Sequence, residues 1–276
     1  MSGRVLLAQT HLLGVGHVAR ATRLAEAMVD AGLDVHGVHG GEPTPQIAFP
    51  GTVTHLPPVR ASDASYATTL DGEGRPLGEA WTAKRRDALV AAADAFRPDV
   101  VVVEAWPFGR RFMAMEMVAL AERLRADGVP LVTSVRDILQ EGRKPGRAEE
   151  TRDLVLAHVD HVLVHSDEAI TRLADTFPLA DPLADRTTHT GYVVASDGTP
   201  DTDVPGCDVL VSAGGGAFGG TLMRLACDAA RARPEERWRL VTGPNLPDAE
   251  RAALDVPPNA TLERHVTQPP SFPSIR

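Results

Sequence analysis

The chain has 276 residues and a formal net charge of −9, from 28 Lys+Arg against 37 Asp+Glu, a balance that offers no broad positive field to nucleic acid or an anionic membrane. Hydrophobic residues make up 43% and charged residues 24%, a globular composition sized for one large domain or two smaller ones. Aromatics at 4% are too few for a base-stacking platform, and two cysteines, Cys207 and Cys227, are too few for a disulfide framework or a cysteine-built zinc site.

Residues 4–8 (RVLLA) form a short apolar run of strand type, with no signal-peptide pattern around it. No apolar run reaches the roughly 18 residues that a membrane span needs, so the expectation is a cytoplasmic protein with no integral membrane segment, which leaves peripheral membrane contact open. Residues 18–31 place Ala21, Leu24, Ala25 and Met28 at helical spacing, with Gly32 as a stop. Residues 33–38 read as a second strand, and a strand–helix–strand unit implies a parallel sheet with a right-handed crossover. Residues 42–82 are rich in Pro, Gly, Ser and Thr and predict long loops over one rim of the sheet.

The alternation then resumes with a helix at 83–96 and a strand at 100–104 so apolar that both faces must be buried. Helices at 113–126, 149–157 and 167–175 alternate with strands at 130–134, 161–165 and 187–194. The polar stretch 195–206 (ASDGTPDTDVPG) marks a composition shift and reads as an interdomain linker. After it come a strand at 208–212, a glycine loop, a helix at 220–232, a strand at 238–242, a weak helix at 248–254 and a strand at 260–266. The expected division is a Rossmann-like domain at 1–195, a linker at 196–206 and a partial second domain at 207–276, with too few strands for a complete doubly wound sheet.

Two glycine loops follow strands and open helices. The first, HLLGVGH at 11–17, carries Gly14, Gly16 and His17. Helix N-termini present unpaired N–H groups and a positive dipole end to anions, while glycine lets the backbone come close. Neither the dinucleotide fingerprint nor a P-loop is present, because Ala19 takes the third glycine position and no Lys-Ser/Thr follows. A tight strand-to-helix turn explains the glycine pair equally well. His17 at a helix start has reason to stay a neutral base, although a histidine hydrogen-bonded within a loop is the plainer account. The second loop, SAGGGAFGG at 212–220, holds Ser212, Gly214, Gly215 and Gly216; five glycines exceed what a turn requires and suit a backbone cradle for a diphosphate, against the alternative of a flexible loop.

Other strand ends carry chemistry-bearing residues, where ligands of open α/β sheets bind. Arg136 can take a carboxylate or phosphate and Asp137 a proton, or the two can pair and fix their loop. Glu104 is a candidate acid or base, though glutamates are more often exposed. Ser166 or Asp167 reads as a helix cap ahead of a catalytic group. The ten histidines show no metal-binding spacing, and no metal is expected.

The strand followed by HLLGVGHVAR and a small-residue helix resembles two-domain GT-B glycosyltransferases related to family 28, akin to the enzyme that moves GlcNAc from UDP-GlcNAc to a lipid-linked acceptor. SVRDIL at 134–139, VLVHSD at 162–167, TGYV at 190–193 and VSAGGG at 211–216 are similar, in that order and spacing, to a bacterial group of predicted glycosyltransferases. The resemblance covers nearly the whole chain to about residue 266. It implies an α/β fold of GT-B type, with two Rossmann-like parallel-sheet domains, the second incomplete. It also implies that the N-terminal domain holds an acceptor, with His17 as base or phosphate contact and Gly14, Gly16, Glu104, Arg136 and Asp137 on the acceptor side. The C-terminal domain would hold the diphosphate of a UDP-sugar co-substrate at Ser212, Gly214, Gly215 and Gly216, with no metal or other cofactor and no nucleic-acid partner. Residues 267–276 do not match the glutamate-bearing segment that the resemblance leads one to expect there, so a truncated, inactive product is one expectation. A UDP-sugar 2-epimerase and a non-catalytic acceptor-binding remnant are the alternatives. A nicotinamide-dependent oxidoreductase is disfavoured by the incomplete fingerprints.

Overall fold

The computed structural model describes residues 2–12, 14–62, 68–139, 145–194, 206–214 and 219–264. Two compact units divide the chain, residues 1–12 with 17–193 and residues 194–276 with 13–16. The expected linker at 196–206 lies outside the described residues except for Gly206.

The first unit opens with β1 (Arg4–Gln9), α1 (Gly16–Asp30) and β2 (Asp34–His39). Next come β3 (Thr52–His55), β4 (Val59–Ala61), β5 (Thr69–Asp71), α2 (Glu79–Phe96) and β6 (Val100–Glu104). The remainder is α3 (Ala114–Asp127), β7 (Leu131–Arg136), α4 (Arg147–His158), β8 (His161–His165), the single turn α5 (Leu173–Thr176) and β9 (Thr187–His189). Seven strands form a parallel sheet in the order β3-β2-β1-β6-β7-β8-β9.

Strand period 2 sorts the side chains onto two faces. Leu6, Ala8, Val101, Val103, Leu131, Val135, Val162 and Val164 pack with Leu89 of α2 and Met117, Leu120 and Leu124 of α3 in one core. Val5, Leu7, Val35 and Val102 pack with Ala21 and Ala25 of α1 in the other. Small residues on α1 let that helix lie close to the sheet. Both faces being covered is why residues 100–103 are valine without interruption.

The sequence reading needs correction in three places. Residues 42–82 are not only loop. Thr52–His55 extends the sheet parallel to β2, Val59–Ala61 and Thr69–Asp71 form an antiparallel ladder, and α2 begins at Glu79. Strands of three or four residues among Pro and Gly leave too short a pattern to register. Most of 167–175 is not helical. Asp167 Oδ1 accepts the Ala169 N–H at 2.9 Å and the Ser166 hydroxyl donates to Thr171 O at 2.8 Å; such side-chain bonds compete with a helix. The strand expected at 187–194 ends at His189, preceded by a 3₁₀ turn at Asp181–Arg186.

The second unit contains β10 (Val209–Ser212), α6 (Gly220–Arg231), β11 (Trp238–Val241), α7 (Asp248–Ala252) and β12 (Ala260–Glu263). Its described strands form a parallel sheet in the order β10-β11-β12. Met223, Ala226, Cys227 and Ala230 of α6 pack on Trp238 and Leu240, and both cysteines are buried free thiols.

One buried ion pair ties the irregular loops of the first unit to its helices. Arg85 of α2 and Glu116 of α3 are 1% and 2% exposed and meet at 2.7 Å. The same guanidinium donates to Gly40 O at 2.7 Å, Pro57 O at 2.6 Å and Thr10 Oγ1 at 2.8 Å. Replacing Arg85 with Met leaves the Glu116 carboxylate buried without its partner, which costs about 3–5 kcal/mol. Urea unfolding of Arg85→Met is expected to show a loss of that size, and a loss below about 1 kcal/mol would contradict it.

Candidate functional site

The strand order reverses direction between β1 and β6. The chain runs outward from β1 to β2 and β3, then returns to β6 on the other side of β1. Such a switch point leaves a crevice beyond the strands' carboxyl ends, where α/β sheets bind ligands. The loop after β1 leads into α1, and β6 ends at Glu104, so both sides of this crevice carry residues singled out from the sequence.

Strand parity decides where Glu104 goes. Val101 and Val103 face α2 and α3, whereas Val102 faces α1. Glu104 follows on the face of Val102 and is buried against α1, with its side chain 1% exposed. His17 lies one residue into α1 and Arg20 three residues later, on the same helix face. His17 Nδ1 is 2.7 Å from Glu104 Oε2, and Arg20 Nη2 donates to Glu104 Oε1. One carboxylate thus receives two side chains from a single helix turn. The commoner fate of a glutamate, exposure, does not apply here.

The carboxylate accepts, so Nδ1 carries the proton and Nε2 keeps its lone pair. Burial, together with the guanidiniums of Arg110, Arg20 and Arg136, pushes His17 down to about 3. The direction is that expected of a helix start, but burial is the leading cause. Arg20 pairs with the other oxygen of the same carboxylate. The product is a neutral, oriented imidazole.

Other polar groups line the same rim. Gln9 and Ser134 share the α1 face by parity with Leu7 and Val132, and Gln9 is buried with no hydrogen-bond partner for either amide atom. Ser134 Oγ is 2.8 Å from His165 Nε2, whose Nδ1 is 2.7 Å from Thr190 Oγ1. The chain turns sharply after Glu104, where Ala105 takes a φ of 68°, an arrangement costly for an L residue. Arg110 then reaches back and donates through Nε to Thr10 O at 2.8 Å. Arg136 lies 3.5 Å from Asp137 and is 58% exposed. The pair therefore contributes to its own loop while Arg136 still acts on His17.

Gly14 and Gly16 have no positive φ, and a Cβ built on either meets nothing within 4 Å. The turn itself does not demand glycine; what their lack of side chains leaves is open space beside the backbone. In the second unit, Gly214 takes φ +70° and its N–H donates to Ser212 Oγ at 3.3 Å, directly after β10. Gly215 and Gly216 lie outside the described residues. Among the described residues, no three His, Cys, Asp or Glu side chains gather as a metal site, and no helix is long and apolar enough to cross a membrane.

Sequence reading found His17 and Glu104 separately but missed that they meet, and it gave no role to Gln9, Ser134, Arg110 or His165. The parity of β6 was a signal for the burial of Glu104. Nothing local tells which distant helix covers it.

No family model and no curated protein matches the sequence. Solved structures do match the fold. The calicheamicin glycosyltransferase CalG4 aligns with a TM-score of 0.58 at 16% identity, over 96% of this chain and 71% of its own. The glycosyltransferase VinC, in complex with dTDP, aligns with a TM-score of 0.54 at 17% identity, over 95% of this chain and 72% of its own. The UDP-N-acetylglucosamine 2-epimerase of Rickettsia bellii aligns with a TM-score of 0.51 at 10% identity, over 95% of this chain and 68% of its own. The chain has the GT-B fold.

His11, His39 and His165 are each pushed down to about 4, with burial the leading cause in all three, and His17 to about 3. An unfolded chain binds protons at these histidines near the ordinary 6.5, so between about pH 6.5 and 4 the unfolded state holds more protons. Stability is therefore present above 6.5 and falls as the pH drops, by at most about 1.4 kcal/mol per pH unit for each histidine. Urea midpoints measured from pH 7.5 to 4.5 are expected to decline steadily below pH 6.5, and a flat profile would contradict these buried neutral rings.

Proposed function

We propose that the chain acts as a glycosyltransferase that moves a hexose, such as GlcNAc, from a UDP-sugar to an acceptor hydroxyl. The observation that carries this reading is the His17–Glu104 hydrogen bond of 2.7 Å at the switch point of the sheet. In this reading His17 Nε2 accepts the proton of the acceptor hydroxyl. The freed oxygen attacks the anomeric carbon, the bond from that carbon to the diphosphate oxygen breaks, and UDP departs with the electron pair. Glu104 orients the ring and balances the imidazolium as it forms.

The donor half of the reading rests on the second unit. Ser212, Gly214, Gly215 and Gly216 precede α6, and a helix start with backbone N–H donors stabilises a departing diphosphate without a metal. Gly14, Gly16, Arg136 and Asp137 fall to the acceptor side in this reading because the resemblance to GT-B glycosyltransferases implies it. VinC was solved with dTDP, so the base preference of the donor belongs in the test. Family 28 kinship rests on the motif order, and the division into an acceptor domain and a donor domain follows from it.

Titration calorimetry with UDP, UDP-GlcNAc, dTDP and NAD addresses the reading directly. Binding of a nucleoside diphosphate and its sugar is expected; binding of NAD alone would overturn it. With a turned-over nucleotide sugar, His17→Ala is expected to lower transfer by about 10²–10⁴-fold while leaving nucleotide affinity within about twofold. Loss of nucleotide binding in that variant would refute the base role, and isomerisation of the sugar without transfer would favour the epimerase.

A further inference from the structure

A carboxylate that only touched His17 would be a poor way to keep a base. Glu104 is 1% exposed and 2.7 Å from the ring, so no bulk water screens the attraction. An opposite charge at that range raises a histidine by about 1–3 pH units. The outcome would be an imidazolium–carboxylate pair, and an imidazolium has no lone pair at Nε2 with which to take a proton. The dyad needs the hydrogen bond of Glu104 without the full pull of its charge.

Arg20 supplies that condition by position. It follows His17 by one helical step, its side chain is 17% exposed, and it donates to the second oxygen of the same carboxylate. From the geometry we infer that Arg20 is a positioning residue that neutralises Glu104, so that Glu104 orients His17 without protonating it. The catalytic consequence rests on the proposed transferase reading, whereas the titration behaviour does not.

The groups that face this trio come from every element around it. Arg110, on the loop after β6, and Arg136, at the end of β7, act on both His17 and Arg20. Asp137 acts on Arg20 and opposes them. His11, beyond β1, is acted on by His17, and His165, at the end of β8, is acted on by Arg20. Arg20 remains charged at neutral pH even though burial and these cations lower it to about 10. Glu104 itself pairs with both His17 and Arg20.

Histidine ¹⁵N chemical shifts of the full chain, followed against pH, read the inference without substrate. In the unaltered protein His17 is expected as the Nδ1–H tautomer, neutral wherever the protein is folded. In Arg20→Gln its protonation midpoint is expected to rise by about 1–3 pH units. In Arg20→Lys, which keeps the charge, it is expected to stay within half that shift. In the double variant Arg20→Gln/Glu104→Gln the midpoint is expected to fall back, because no unbalanced carboxylate remains. That double variant also leaves no unpaired buried charge, and it serves if Arg20→Gln does not fold: its His17 midpoint must then lie within half of that shift from the midpoint of Glu104→Gln, because without the carboxylate Arg20 has no charge to neutralise. An unchanged midpoint in Arg20→Gln, equal shifts in the Gln and Lys variants, a double variant that keeps the single variant's rise, or a double variant whose midpoint departs from that of Glu104→Gln by the full shift of about 1–3 pH units would each overturn the role of Arg20. If the titrations behave as described and no nucleotide sugar is turned over, the transferase reading fails while Arg20's role stands.

Discussion

A carboxylate buried at the end of a central parallel strand has to be paired, and much of the rim around Glu104 follows from that requirement. Glu104 is placed inward by the same period-2 alternation that buries Val102. The charge cannot be left alone in an apolar layer. The helix that covers this face must therefore bring donors, and α1 brings two within a single turn, His17 and Arg20. α1 can approach closely because the residues between sheet and helix are small, Ala21 and Ala25. The switch in strand order puts this pairing where a crevice exists rather than in the middle of the core. A structural necessity and a chemical opportunity fall on the same carboxylate.

Arg85 and Glu116 solve the same problem in another place and with another result. They are about as deeply buried as Glu104, but the guanidinium is used up on loop carbonyls and Thr10. Burial of a charged pair is thus common to a structural staple and to the candidate site. The difference is the third partner, an imidazole 30% exposed on its side chain.

Much of the architecture is written in periodicity. The valines of 100–103, the small-residue spacing of α1 and the glycine stops are strong enough to place a parallel sheet and its crossover helices. The short strands β3, β4 and β5 are not, since three or four residues between prolines and glycines give no period to detect. The turn after β8 misleads for a different reason: Ser166 and Asp167 look like a cap, yet their side chains bond the local backbone in a tighter turn. For the site, HLLGVGHVAR marks a helix start with a histidine, and parity alone buries Glu104. Their contact spans 87 residues of chain, and only the folded sheet brings them together. The same holds for Arg110, whose guanidinium reaches Thr10 across 100 residues. The GT-B fold was legible through the order and spacing of modest motifs. The donor sugar and the acceptor are not, because a scaffold shared by glycosyltransferases and an epimerase does not specify the chemistry grafted on it.

The central claim is that His17 and Glu104 act as one unit. A double-mutant cycle on nucleotide-sugar turnover, with His17→Ala, Glu104→Gln and the two combined, tests this most directly. The account predicts that Glu104→Gln slows turnover in the presence of His17 and has little further effect once His17 is gone. Losses that multiply in the combined variant would show that the two residues act independently and would contradict it.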